Sequence, residues 1–150
     1  MKHKLVRNQT GFTLIESLFV LSVFLIIASV SAFLIKPQFT SLEKQQFISQ
    51  LQADLLFAQA YALSHHMEIN VLILPEEKRY LIYKRQNEMF LIEREIPEMI
   101  HIRAETMKLN FYYQADGNIN RFGSFAILAG KDRYKFTFLI GKGRFYVEKE

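Results

Sequence analysis

From Phe12 to Ile35 the chain runs for 24 residues with a single charge, Glu16, and neither Gly nor Pro. Wound as an α-helix, such a stretch is roughly 36 Å long. That is enough to cross a hydrocarbon core of about 30 Å. A helix also satisfies its own backbone in lipid, which an extended chain does not. Lys2, Lys4 and Arg7 precede the stretch, and Lys36 is the only charge at its far edge. Basic residues stay on the cytoplasmic side, so the N-terminus is expected in the cytoplasm and everything after residue 36 outside. The expected protein is single-pass in the cell membrane. Residues 1–11 form a basic head, 12–36 a transmembrane helix and 37–150 an extracytoplasmic domain.

The charge outside the head is nearly balanced. The 150 residues hold 19 Lys+Arg and 15 Asp+Glu, a net of +4, and three of the basic residues lie in the first seven positions. A whole-chain nucleic-acid footprint is therefore not supported. No Cys is present, which excludes a disulfide scaffold, a Cys-ligated zinc site and thiol catalysis. Half the residues are apolar, which excludes wholesale disorder.

Lys36-Pro37 should kink or break the helix, because proline lacks a donor and disfavours helix at the residue before it. An amphipathic helix is expected over 38–66, with Thr40 or Ser41 as N-cap and Glu43 or Lys44 in the first turn. Phe47, Leu51, Leu55, Ala58 and Ala62 fall on one face at spacings of four and three. Ile48, Leu56 and Leu63 widen that stripe, and Lys44, Gln45, Gln52, Asp54 and Gln59 fall largely elsewhere.

From 67 to 150 the pattern becomes short strands rich in β-branched and aromatic residues. The segments are 68–74, 79–84, 89–95, 100–103, 108–113, 124–128, 134–140 and 144–148. Counted coarsely they make about seven antiparallel strands. Asp116-Gly117-Asn118 and Gly141-Lys142-Gly143 mark turns. The fold class expected is α+β, a long N-terminal helix packed on an antiparallel β-sheet.

No P-loop, HExxH, GxSxG or dinucleotide fingerprint occurs, so neither a cofactor nor a metal is expected, and the chain reads as a non-enzyme. His65-His66 point about 100° apart on a helix and cannot share a metal face. They suit a helix end, where His complements the dipole. His3 lies in the head and His101 in a strand, and neither has a carboxylate pair nearby in sequence that would suggest a triad or a metal site. Toward the C-terminus Lys131, Arg133, Lys135, Lys142, Arg144 and Lys149 interleave with Phe136, Phe138, Phe145 and Tyr146. Such a mixture can contact DNA by stacking and charge. Alternation of solvated and core positions along strands accounts for it better.

Glu16 is costly in a membrane unless it snorkels to the headgroups or meets a partner. Its surroundings, Gly11-Phe12-Thr13-Leu14-Ile15-Glu16, resemble at every position the prepilin cleavage motif of type IV pilins and pseudopilins. The resemblance implies that a prepilin peptidase cuts between Gly11 and Phe12, so that residues 1–11 are a prepilin leader. It further implies that Phe12 is N-methylated and that Glu16 meets the N-terminal amine of a neighbouring subunit during assembly. The remaining pattern, a long helix and a sheet ending in Gly-Lys-Gly-Arg-Phe, is similar to minor pseudopilins of the GspH/FimT type, in particular those of the Gram-positive competence machinery. A pilin-like fold is then expected, at the cell surface once assembled. The expected partners are other pilin-like subunits, major and minor, the prepilin peptidase, an assembly ATPase and a platform membrane protein. The chain's role would be that of a structural subunit of a competence pseudopilus used for DNA uptake.

Two alternatives compete. One is a subunit of type II secretion or of another type IV pilus. The other takes residues 1–32 as an ordinary secretory signal cut after Val30-Ser31-Ala32, which releases a soluble β-rich binding module. Maturation separates these. A Gly11→Val substitution should leave an uncleaved, slower-migrating precursor in the membrane. Mass spectrometry of the wild-type N-terminus should return methyl-Phe12, whereas Phe33 would establish a conventional signal.

Overall fold

The computed structural model describes residues 13–141 and 143–150, and for 32–41 it describes the backbone alone. The chain divides into two units, Met1–Ser41 and Leu42–Glu150. One helix, α1 (Leu14–His65), contributes to both. Its helical assignment continues through Lys36-Pro37, Thr40 and Ser41. The expected break and the fresh N-cap at 40 or 41 therefore do not occur. A proline inside a helix removes one donor, but it leaves the rest of the ladder to form.

The helix ends where the paired histidines suggested. His66 takes a positive φ of 51°, and Met67 N donates to Ala62 O across it at 3.3 Å. This is a Schellman closure with His in the place usually held by Gly. His65, the last helical residue, stacks on Tyr61 with ring centroids 3.9 Å apart.

Eight strands follow: β1 (Ile69–Leu74), β2 (Arg79–Lys84), β3 (Phe90–Glu95), β4 (Ile100–Ala104), β5 (Asn110–Tyr113), β6 (Gly123–Ala129), β7 (Asp132–Phe138) and β8 (Phe145–Lys149). They form two four-stranded sheets rather than one, in the orders β3-β2-β1-β5 and β4-β6-β7-β8. Every pairing is antiparallel. The chain leaves the first sheet at Ile96-Pro97, returns for β5, and leaves again through the turn at Gly117. Hairpin turns set local pairing but not which sheet a strand joins, so the split was not readable from the turns. The β7 segment also ends earlier than expected. Leu139 and Ile140 belong to the β7–β8 connection, closed by Leu139 N donating to Arg144 O at 2.9 Å.

Within residues 42–150 the two sheets and the helix share one core. The helix contributes Phe47, Ile48, Leu51, Leu55, Ala58 and Ala62, all buried. In β1, Ile69, Val71 and Ile73 alternate inward, as a strand with one covered face requires. Phe111 of the first sheet meets Phe138 of the second with centroids 5.3 Å apart. Phe125 and Phe136 stack at 5.0 Å. Leu56 and Leu63, expected to widen the buried stripe, are instead exposed. They sit on the far side of the helix from Leu51, Leu55 and Ala58.

Asp54 reverses its expected position, since it is only 4% exposed. Its carboxylate accepts hydrogen bonds from Tyr80 Oη at 2.6 Å, Arg94 Nε at 2.7 Å and Gln50 Nε2 at 2.8 Å. Burial alone raises its pKa. The bonds donated by Arg94, Tyr80 and Gln50 together outweigh that and hold it below the ordinary value of 3.8. The same contact and burial push the Tyr80 hydroxyl well up. The helix is thereby tied to β2 and to the edge strand β3 by one polar knot inside an apolar interface.

Asp54→Ala should destabilise the domain. Arg94 is 45% exposed on its side chain and can rehydrate. The loss should therefore be about 1–3 kcal/mol, as for an orphaned buried donor, and not the 3–5 kcal/mol typical of a charge stranded in a core. Denaturant unfolding followed by circular dichroism measures it. Because the folded pKa is depressed, the stabilisation is complete at neutral pH. It fades as pH falls below about 3.8 and is gone below the folded-state value. Asp54→Ala should flatten that acid limb.

Candidate assembly surface

The N-terminal part of α1 exposes its apolar residues. Leu14–Ser31 is long and apolar enough to cross a membrane, and none of its residues is buried. Its serines do not compromise this. Ser22, Ser29 and Ser31 donate to the carbonyls of Phe19, Leu25 and Ile27 at 2.7–2.9 Å. Their hydroxyls are satisfied within the helix, so the lateral surface stays suited to lipid or to another helix.

Gly11 and Phe12, the expected cleavage and methylation positions, lie outside the described residues. Glu16 stands in the first turn of α1 and is exposed. Thr13 immediately precedes the helix and accepts a hydrogen bond from Glu16 N at its Oγ1, at 3.4 Å. Thr13-x-x-Glu16 thus has the spacing of a capping box. The signal was present in the sequence but was absorbed into the longer motif. A carboxylate in the first turn also complements the positive end of the helix dipole.

Farther along, within the unit of residues 42–150, the outward face of α1 carries Ser49, Ala53, Leu56, Phe57, Ala60 and Leu63, all exposed. From Gln45 to Ser64 the only charged residue is Asp54, and it points inward. The outward face is therefore uncharged over about five turns. A surface helix of a monomeric domain normally places its charges there. Small side chains at Ser49, Ala53 and Ala60 permit close backbone approach, and the larger ones supply apolar area. The face is suited to packing against another helix.

The C-terminal mixture of cations and aromatics is not brought together as a stacking platform. Phe136 and Phe138 point into the core, Phe145 is half-buried, and only Tyr146 is well exposed. Lys149 pairs with Asp132 at 2.8 Å, Arg133 with Glu105 and Glu150, and Lys135 with Glu150 at 3.9 Å. Lys142 lies outside the described residues. His101 is exposed on β4. Among the described residues no cluster of His, Asp and Glu is placed to hold a metal.

Residues 6–32 match the family described as the prokaryotic N-terminal methylation motif. Over 145 residues the chain is 28% identical to the competence protein ComGD of Bacillus subtilis (strain 168), with 97% of each chain covered. Among solved structures, the minor pseudopilin EpsH from the Type 2 Secretion System of Vibrio cholerae is similar at a TM-score of 0.54. That match covers 69% of this chain and 94% of that one. At 10% identity it speaks for the fold alone. The resemblance carried by Gly11-Phe12-Thr13-Leu14-Ile15-Glu16 is thus joined by a similarity to a competence protein along nearly the whole chain and by a fold like that of a minor pseudopilin.

Proposed function

We propose that the chain is a minor subunit of a pilus-like fibre that serves competence, and that it contributes to DNA uptake during transformation. The observation that carries this reading is the similarity to a competence protein along nearly the whole of both chains. The fold likeness to a secretion pseudopilin supports the subunit role but does not transfer the secretion system. In this reading a prepilin peptidase cuts between Gly11 and Phe12 and methylates Phe12. The domain stands outside the membrane, and an assembly ATPase with a platform protein draws the chain into the fibre. The chain performs no catalysis of its own. Its work lies in the surfaces of α1.

Glu16 then has a definite task. A methylammonium from the neighbour and a carboxylate here are both costly in low dielectric, and pairing offsets much of that cost. Removing Glu16 makes the segment more apolar, so Glu16→Val should insert and be processed at wild-type level. Its crosslinking to other pilin-like subunits, and DNA uptake with it, should fall. Loss of one partner of a buried pair costs about 3–5 kcal/mol, which corresponds to more than a hundredfold in an association constant. Normal crosslinking and uptake at equal protein level would reduce Glu16 to a tolerated edge charge.

A charge on the outward helix face should act in the same direction without harming the fold. Ala60 is exposed, so Ala60→Glu should leave the domain's melting unchanged while reducing its recovery with sheared fibres. Transformation frequency set beside protein secretion in the same cells distinguishes competence from a secretion role.

A further inference from the structure

The outward face of α1 is not the sole exposed apolar feature of the domain. Phe122, Leu139 and Ile140 also stand in solvent, at 62%, 46% and 79% exposure. Gly123 pairs with Phe138 at the end of the β6–β7 ladder, so Phe122 and Leu139 are the next residues along the two strands. Ile140 follows in the connection to β8. Leu139, Ile140, Gly141 and Arg144 line an open recess of about 310 Å³. The connection is braced. Leu139 N donates to Arg144 O at 2.9 Å. Gly143, at a φ of 58°, lies so near Gly117 O that a Cβ would strike it. Gly117 O in turn accepts from Gln59 Nε2 at 3.0 Å. The apolar side chains therefore stand on a fixed tip at the flank of α1.

The charge around this tip has one sign. Arg121 directly precedes Phe122, and Lys142 and Arg144 follow Ile140 in sequence. No acidic residue occurs from Gly117 to Lys131 or from Arg133 to Val147. Arg121 and Arg144 are exposed. Among the described residues no ion pair engages either of them, while Asp132 is held by Lys149, and Glu105 and Glu150 by Arg133. Free phosphates would use the cations and leave three large apolar side chains in water. A neutral apolar surface would use the side chains and desolvate the cations at a cost. An anionic bilayer answers both. Its headgroup phosphates meet arginine, and its acyl boundary takes Phe, Leu and Ile.

We propose that the tip formed by Phe122, Leu139 and Ile140 docks on an anionic lipid surface, with Arg121 and Arg144 on the headgroup phosphates. Lipid is favoured over a protein surface because the same chain carries Leu14–Ser31, a segment of membrane length. Tethering keeps a bilayer at high effective concentration without any second partner. Gln59, beside the tip, lies 28 residues beyond Ser31 on α1, roughly 42 Å. An upright helix would hold the tip that far from lipid, so docking requires the helix to bend. Pro37 lies in the stretch that must do so, and its missing donor weakens the ladder there. The docked state is a resting one, which any process that draws the chain out of the membrane must release. It rests on the membrane reading of Leu14–Ser31 and not on the fibre.

The chain has no Trp, so a single introduced indole reports alone. Full-length Ile140→Trp is reconstituted at one chain per vesicle in mixed phosphatidylglycerol and phosphatidylcholine with brominated acyl chains. Flotation of the same vesicles checks anchoring separately. Acyl bromine quenches only an indole that enters lipid, so free phosphate or nucleic acid gives no signal. Glu98→Trp is the control. Its side chain is 92% exposed, and it lies beside Glu43, nearer along α1 to the membrane-length segment. Mere tethering quenches Glu98→Trp at least as strongly, whereas docking should quench Ile140→Trp several-fold more. Adding Arg121→Glu and Arg144→Glu should lower the docking equilibrium roughly thirtyfold or more, and pure phosphatidylcholine should weaken it likewise. Both arginines are exposed, and unchanged melting curves confirm that the fold is intact. Quenching no greater than the control overturns the proposal. So does quenching indifferent to lipid charge or to the double reversal. A blue-shifted but unquenched indole also overturns it, and assigns the tip to a protein surface.

Discussion

Helix α1 must be apolar in two directions at once, and most of the structure follows from that constraint. Inward, Phe47, Leu51, Leu55, Ala58 and Ala62 close the core against two sheets. Outward, Leu56, Phe57, Ala60 and Leu63 remain uncovered. A helix apolar all round normally belongs in a large core or a membrane. Here its inner side is fixed by a polar device. The three bonds to Asp54 need the helix turned so that residue 54 meets Tyr80 and Arg94. A rotation that buried Leu56 and Leu63 instead would leave that carboxylate without donors. Apolar area supplies most of the attraction, and Asp54 supplies the rotational choice. Such a role for a buried charge is specificity more than stability.

Much of this was legible in advance. The apolar run, the buried stripe and nearly all strand positions were readable because each rests on a local period or a turn residue. The helix end was readable from paired histidines without a metal-binding geometry. What escaped reading depends on partners distant in sequence. Asp54 looked like a solvated position because its donors Tyr80 and Arg94 lie 26 and 40 residues away. Leu56 and Leu63 looked like core because hydrophobicity marks burial without naming what does the burying. Proline at 37 looked like a break because a single-residue rule was applied to a helix long enough to tolerate the loss of one donor.

The functional positions divide in the same way. Gly11, Phe12 and Glu16 were singled out as candidates by a contiguous motif, and Thr13 was hidden inside it until the hydrogen bond from Glu16 N gave it a separate role. The cationic and aromatic C-terminus suggested nucleic acid in sequence. Alternation along β7 instead sends Phe136 and Phe138 inward, and nearby acids neutralise Arg133, Lys135 and Lys149. Among the described residues there, Arg121, Leu139, Ile140 and Arg144, in the connections where strand alternation no longer dictates direction, are exposed.

A structural subunit expresses its function in whatever its own fold leaves unsatisfied. Asp54 violates the burial rule but is answered internally by three donors, so it concerns the fold. Glu16 sits in an apolar helix, its backbone N capped by Thr13 Oγ1, and among the described residues its carboxylate has no ion-pair partner. Leu56, Phe57 and Leu63 lie on a helix with no charge beside them, and Ile140 stands almost wholly in water in the connection that Arg144 closes. Each of these is expensive for an isolated molecule, and selection for solubility alone would remove them. They persist at low cost only if other chains or lipid cover them for part of the protein's life. The pattern therefore distinguishes a subunit from a free-standing domain on physical grounds. The exposed features in question are the first turn of α1, its outward face, and the end of the second sheet.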